Sequence, residues 1–304
     1  MAQSNSKRAV RLAFFANLSI AALKSVAAWW TGSSAMLAEA IHSLADTLNQ
    51  LLLFVGLRRA HQPPSPQHPL GYGRELYFWS FLVALFLFTL GGLYSVWEGW
   101  HKLQGEPDAM TSPWVALVVL TGAMIAESVS FHGCIQEARK EKRKDESWWQ
   151  WFRNSRQSSL IVVFGEDLAA LFGLLVAFAA VLLTMLTGNR LWDALGSIVV
   201  GVLLIVVALA IAFEVKKMLV GESVAPEIEK DIKDFIESQP QVAQVFHIIT
   251  QQLGPKMMVA LKAKMRDMPT ADALIDAINS IEQAIHQKYR SVQWIFFEPD
   301  VRDD

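Results

Sequence analysis

Long apolar stretches alternate along the chain with short polar, mostly cationic loops. Six windows reach the ~20 predominantly apolar residues that a helix needs to cross a bilayer core of about 30 Å. They run from Val10 to Trp30, Ala35 to Leu57, Leu76 to Trp97, Pro113 to Cys134, Leu160 to Leu186 and Leu191 to Phe213. The first follows Lys7 and Arg8 as a signal peptide would, but its apolar core exceeds the roughly 7–15 residues of such a segment and five more windows follow, so a retained helix is expected. Beyond Phe213 short apolar runs mix with charges, as in a water-soluble domain. That part reads as helix (Pro226 to Glu237), strand (Val242 to Thr250), strand (Lys256 to Met265), helix (Ala271 to Tyr289) and strand (Val292 to Glu298), with Gly254-Pro255 as a hairpin turn. The expected fold is an α-helical membrane protein: six transmembrane helices over residues 1–213, then an α+β domain of order αββαβ over residues 214–304, its small sheet covered by helices on one face.

Composition narrows the class. Of 304 residues, 53% are hydrophobic and 18% charged, against about 25% charged in ordinary soluble domains, which argues against a soluble enzyme. Lys and Arg number 27 and Asp and Glu 29, so the cationic excess that marks a nucleic-acid binder is missing. The single cysteine, Cys134, supports neither an intrachain disulfide nor a cysteine-based zinc cluster and reads as a small packing residue.

Loop charges set an expected orientation. Lys7, Arg8 and Arg11 precede the first window, Arg58, Arg59 and Arg74 lie between the second and third, and Arg139, Lys140, Lys142, Arg143, Lys144, Arg153 and Arg156 lie between the fourth and fifth. The opposite loops carry Lys102 and Arg190. The positive-inside rule then places both termini in the cytoplasm. The run Arg139 to Lys144 reads as a topology-setting loop of solvated or lipid-facing cations, and Trp148, Trp149, Trp151 and Phe152 beside it as an interfacial aromatic belt.

Ionisable groups inside a bilayer are costly and mark ion paths, proton relays or paired structural sites. In the second window Glu39, His42, Asp46 and Asn49 or Gln50 fall at spacings of three and four, one stripe of a helix. His42 and Asp46 lie one turn apart and can either hydrogen-bond each other or chelate one divalent ion through imidazole nitrogen and carboxylate oxygen, a donor pair suited to zinc. In the fifth window Glu166 and Asp167 are adjacent; successive helical residues diverge by about 100 degrees, so one is expected to ligate while the other makes a supporting or relay contact. Glu127 in the fourth window is a candidate supporting or proton-handling residue, together with Glu39 and Asn49. His132 and Asp193 stand near window ends and read as interfacial or capping, and Lys24 as snorkelling or paired.

These residues and their neighbours resemble the cation diffusion facilitator family of divalent-metal transporters. The likeness covers nearly the whole chain. Thr31-Gly-Ser-Ser-Ala-Met-Leu-Ala-Glu-Ala-Ile-His-Ser-Leu-Ala-Asp46 is similar to the family's segment joining its first two helices, and His68-Pro-Leu-Gly-Tyr-Gly-Arg74 to its loop before the third. Asp193, Leu219-Val-Gly-Glu-Ser223 and Phe297-Glu-Pro299 also match. His42-Ser-Leu-Ala-Asp-Thr-Leu-Asn-Gln50 and the Glu166-Asp167 pair look most like the branch that includes the animal mitochondrial zinc transporter.

The resemblance implies a transport site with two ligands four apart on the second helix, here His42 and Asp46, and two four apart on the fifth. On the fifth, Asp167 would pair with Val163, or Glu166 with Ala170, so one of the two expected ligands is replaced. Water, Asn49 or the neighbouring carboxylate would complete the set. Ser65 and Tyr72 flank His68 where many members carry a loop metal site, and Phe297 replaces a histidine of the cytoplasmic cluster, leaving His247 and His286; neither site is assigned metal.

The implied function is a homodimeric antiporter exporting zinc, or alternatively manganese, iron or cobalt, against protons, with the metal as substrate and no resident cofactor. A metal-responsive membrane scaffold without flux is the rival. The expected setting is a bacterial inner membrane or an organellar membrane, with no nucleic-acid partner. No nucleotide-binding loop or His-Glu-x-x-His element suggests ATP coupling or intramembrane hydrolysis.

Overall fold

A computed structural model describes residues 34–104, 113–189 and 191–303 continuously, with Phe14, Leu18, Ala21, Ala22, Ser25, Val26 and Trp29 of the first window; the side chains of residues 34–42, 113 and 115 lie outside the description. Lys24 and Arg190 also lie outside the described residues. The described positions of the first window are helical.

The elements that follow are α1 (Ser34–Ala60), α2 (Glu75–Phe86), a π-helical segment (Leu87–Leu93), α3 (Tyr94–Gln104), α4 (Pro113–Glu141), α5 (Trp148–Asn154), α6 (Ser158–Thr187) and α7 (Leu191–Val220). Four of the described helical stretches are long and apolar enough to cross a membrane: Glu75–Gln104, Ala116–Glu141, Ser158–Thr187 and Leu191–Val220. α1, with 27 residues, has the length but carries the polar stripe. The third window is one rod whose middle widens into the π segment, around Gly91 and Gly92. There the rod packs closely on α7: a side chain on Gly201 would approach the Val96 nitrogen at 2.7 Å and the Gly92 carbonyl oxygen at 2.8 Å. Small residues permit such backbone approach where lipid supplies no hydrophobic drive between helices. Tyr77, Ile161, Val162, Ile211, Val215 and Met218 fill the core between α2, α6 and α7, while Phe172, Leu175, Val202, Val206 and Phe213 stay exposed, as lipid-facing side chains do.

The loop between α4 and α6 departs from its sequence reading in two ways. Ser147 starts α5 with a reciprocal cap: Gln150 N donates to Ser147 Oγ at 3.1 Å and Ser147 N donates to Gln150 Oε1 at 2.8 Å. The short helix thereby turns Trp151 and Phe152 inward, where both are buried around Phe164. Trp148 stacks on the same ring at 5.7 Å, and of the four expected belt aromatics Trp149 is the most exposed. Nor are all the loop cations merely solvated. Arg156 lies 3.1 Å from Glu222 and donates through Nε to the Ser223 carbonyl at 2.9 Å; Arg143 pairs with Glu227, and Arg153 Nε lies 3.9 Å from Glu214. The cations of this loop grip the segment that leaves α7.

Next come α8 (Pro226–Glu237), β1 (Val242–Leu253), β2 (Lys256–Met265), α9 (Ala271–Lys288) and β3 (Val292–Pro299). β2 is central, antiparallel to β1 and parallel to β3. Alternation along β2 buries Met257, Val259, Leu261 and Ala263 against Ile232 and Ile236 of α8 and Ile281 and Ile285 of α9. Glu222, partly buried, has its carboxyl raised above the usual range chiefly by desolvation, an effect that Arg156 opposes.

The C-terminal α/β region touches the helical rod of the third window at the hairpin tip. Gly254 takes a left-handed φ of +64° in the turn between β1 and β2, and its N–H donates to the Tyr77 hydroxyl at 2.8 Å in a buried bond. A Cβ on Gly254 would come within 2.6 Å of the Gly73 carbonyl oxygen, and one on Gly73 would fall on the Leu253 carbonyl oxygen. Two backbones meet here with no side chain between them. Because backbone rather than a flexible side chain would have to yield, Gly73→Ala is expected to cost about 1–3 kcal/mol and to lower the thermal midpoint of the purified protein in detergent; a midpoint equal to the parent's would mean that the hairpin does not seat on Gly73.

Candidate metal centre

The polar stripe of α1 meets α6 through Asn49. Asn49, 3% exposed, donates through Nδ2 to Glu166 Oε1 at 2.6 Å. Its Oδ1 is buried and, among the described residues, has no hydrogen-bond partner; Gln50 Oε1 is in the same state. A buried carbonyl oxygen without a donor costs free energy, so these oxygens are available to a cation, a water or a donor brought in by helix movement.

The adjacent carboxylates of α6 are shared between two neighbours. Glu166 turns to α1 through Asn49, whereas Asp167, 9% exposed, accepts from Ser130 Oγ of α4 at 3.2 Å. The angular step of about 100 degrees per helical residue accounts for the division. Charge follows the same arrangement: Asp46 acts most strongly on Glu166, and Glu127 acts most strongly on Asp167. Asp46 and Glu127 are each within electrostatic reach of the α6 pair, and Asn49 and Ser130 supply neutral donors to Glu166 and Asp167.

Glu39 and His42 lie on α1, seven and four residues before Asp46, and their side chains are outside the described residues. Among the described residues no group of three or more His, Cys, Asp or Glu side chains is gathered to hold a metal ion. His132 hydrogen-bonds Gln136 at 2.9 Å on the exposed side of α4, and Asp193 pairs with Lys102 at 3.0 Å.

Two further histidines, His68 and His286, have local partners. Ser65 and Tyr72 share a hydrogen bond of 3.0 Å, and the Tyr72 ring packs at 4.4 Å from that of His68. In the C-terminal region His286 Nδ1 lies 3.2 Å from the Val292 carbonyl oxygen.

Ser130 is the residue that sequence reasoning missed. In the string Glu-Ser-Val-Ser130 two serines look alike, but Ser128 turns back to the Met124 carbonyl of its own helix at 2.7 Å, while Ser130 reaches across to α6. The available signal was its distance of three residues from Glu127, which places both on one face.

A sequence model described as the cation efflux transmembrane domain matches residues 10–220. The proton-coupled zinc antiporter SLC30A9, mitochondrial, of Xenopus laevis is 36% identical over 229 residues, 75% of this chain and 41% of its own. Metal tolerance protein C4 of Arabidopsis thaliana is 31% identical over 255 residues, 83% of this chain and 55% of its own. Zinc transporter ZitB of Yersinia pestis is 27% identical over 276 residues, covering 90% of this chain and 82% of its own. The chain thus spans about two fifths of the length of its mitochondrial relative.

The Asn49–Glu166 contact can be weighed by a double-mutant cycle. Asn49→Leu is expected to destabilise the protein by stranding the carboxylate, and the same change in a Glu166→Gln background to destabilise it less, with a coupling of about 0.5–3 kcal/mol read from thermal midpoints. Strictly additive losses would show that the two side chains do not support each other.

Proposed function

The chain belongs to the cation efflux family, and from that premise we propose that it is a proton-coupled antiporter that exports a divalent transition metal, zinc first among them, from the cytoplasm. The observation that carries the proposal is the bond from Asn49 to Glu166. It joins Asn49, three residues after Asp46 and seven after His42 in α1, to a buried carboxylate of α6, and among the described residues the amide oxygen of Asn49 has no donor. The frog and Yersinia relatives, a proton-coupled zinc antiporter and a zinc transporter, agree with that cargo.

His42, Asp46 and Glu166 would hold the substrate ion, with Asn49 or water completing the shell and Glu39, Glu127 and Asp167 supporting it or relaying protons. One nitrogen with a few oxygen donors suits zinc, and a shell richer in carboxylates suits manganese. A ligand imidazole must be neutral and a ligand carboxylate ionised, so metal and protons compete for the same groups. Loading from the cytoplasm releases protons; proton entry from the other side expels the metal. Rocking of the helices alternates access, and the Asn49 amide, free to exchange Glu166 for the ion, stands where such an exchange would occur.

The full arrangement we propose has six spans, residues 1–213 as the transport domain and 214–304 as a cytoplasmic domain, with both termini in the cytoplasm of a bacterial or organellar membrane. The sheet face opposite α8 and α9 presents Ile249 and Phe296, more than half exposed at 53% and 54%. This exposed face supports the reading of a homodimer, in which it would pair with a second copy of the chain.

In proteoliposomes with an imposed pH gradient, His42→Ala and Asp46→Ala are each expected to lower zinc flux by about tenfold or more, and collapse of the gradient is expected to abolish uphill movement by the parent. Parent-like flux from either folded variant would remove the proposed site.

A further inference from the structure

Each carboxylate of the α6 pair is held by a different helix, and the side chain that holds the second has had no role assigned to it. Ser130 Oγ donates to Asp167 Oδ2 at 3.2 Å, while Asn49 draws Glu166 toward α1. The reach of so short a side chain depends on close helices. Ser130, Cys134 and Ala138 form a line of small residues at four-residue spacing on α4, the last two buried at 7% and 0%, and beside them the Phe131 and Phe164 rings meet at 5.4 Å. Small residues in such a line let two membrane helices approach. On this face Glu127, one turn before Ser130, is the charge that acts most on Asp167.

We infer that Ser130 sets the metal preference of the transporter by holding Asp167 against α4, so that Glu166 is the one carboxylate of α6 offered to the donors of α1. The inference rests on the reading of His42, Asp46 and Glu166 as the transport site. With Asp167 held away, the site offers one imidazole nitrogen, two carboxylates and the Asn49 amide oxygen, a set suited to zinc. If Asp167 is released it is one residue from Glu166, already senses Asp46, and can swing in as a third carboxylate. An oxygen-rich shell loses its discrimination against manganese. Ser130 is thus a positioning residue: it touches the carboxylate and not the ion.

The test uses the full chain in proteoliposomes, with zinc and manganese fluxes measured in parallel on the same preparations. Ser130→Ala is expected to raise the manganese-to-zinc flux ratio several-fold, chiefly by lowering KM for manganese. Ser130→Thr, which keeps the hydroxyl, is expected to retain the parent ratio. In an Asp167→Asn background, Ser130→Ala is expected to leave the ratio where Asp167→Asn alone puts it, because no carboxylate remains to be released. A loss of both fluxes in equal proportion, an unchanged ratio in Ser130→Ala, or the same change of ratio in the Asp167→Asn background overturns the inference. If Ser130→Ala does not yield a monodisperse protein, Ser130→Gly and Ser130→Cys carry the same expectation and the same overturning results. Flux that ignores His42→Ala and Asp46→Ala defeats the transport-site reading instead, whatever the Ser130 variants do.

Discussion

The cost of carrying carboxylates inside a membrane-spanning bundle shapes this protein. Glu166 and Asp167 sit side by side on one of its most apolar helices, within reach of the charges of Asp46 and Glu127. No cation is among their described hydrogen-bond partners; what they have is an amide from one side and a hydroxyl from the other. Neutral donors offset burial without cancelling charge. A lysine or arginine in either place would compensate the carboxylate more fully and would also compete with an incoming metal. Asn49 and Ser130 keep the pair tolerable with neutral donors alone.

That arrangement ties the helices together as well. α6 is fastened to α1 and α4 through adjacent residues, and it packs on α7, which is locked to the third rod where backbones approach at Gly201. The rod in turn meets the C-terminal sheet region at the Gly73–Gly254 contact. A change at the carboxylates therefore has a continuous packed route to the sheet, through α6, the Tyr77 core and the hairpin.

Much of this was legible in the chain because periodicity reports burial. The last four apolar windows coincide with helices that can cross a membrane, and Gly254-Pro255 does make the turn between β1 and β2. The stripe on α1 was visible because polar residues at three- and four-residue spacing stand out against lipid-facing neighbours. What stayed hidden depended on partners far along the chain. Trp151 and Phe152 resemble interfacial aromatics until α5 is seen folded onto Phe164. Arg143, Arg153 and Arg156 resemble a topology signal because their carboxylates lie some 60 to 85 residues away in the chain. Ser130 differs from Ser128 only in which way its hydroxyl faces, and no local pattern encodes that.

The contact between Gly73 and Gly254 has one more implication. Joints between protein parts usually run through side chains, which hop between rotamers and absorb small displacements as slack. This one is made of main chain on both sides, closed by a single hydroxyl. It has nothing to hop: a fraction of an ångström of sliding at the base of the rod becomes a tilt of the whole hairpin, magnified along strands of ten and twelve residues. Glycine, elsewhere the residue of looseness, here makes the joint stiff.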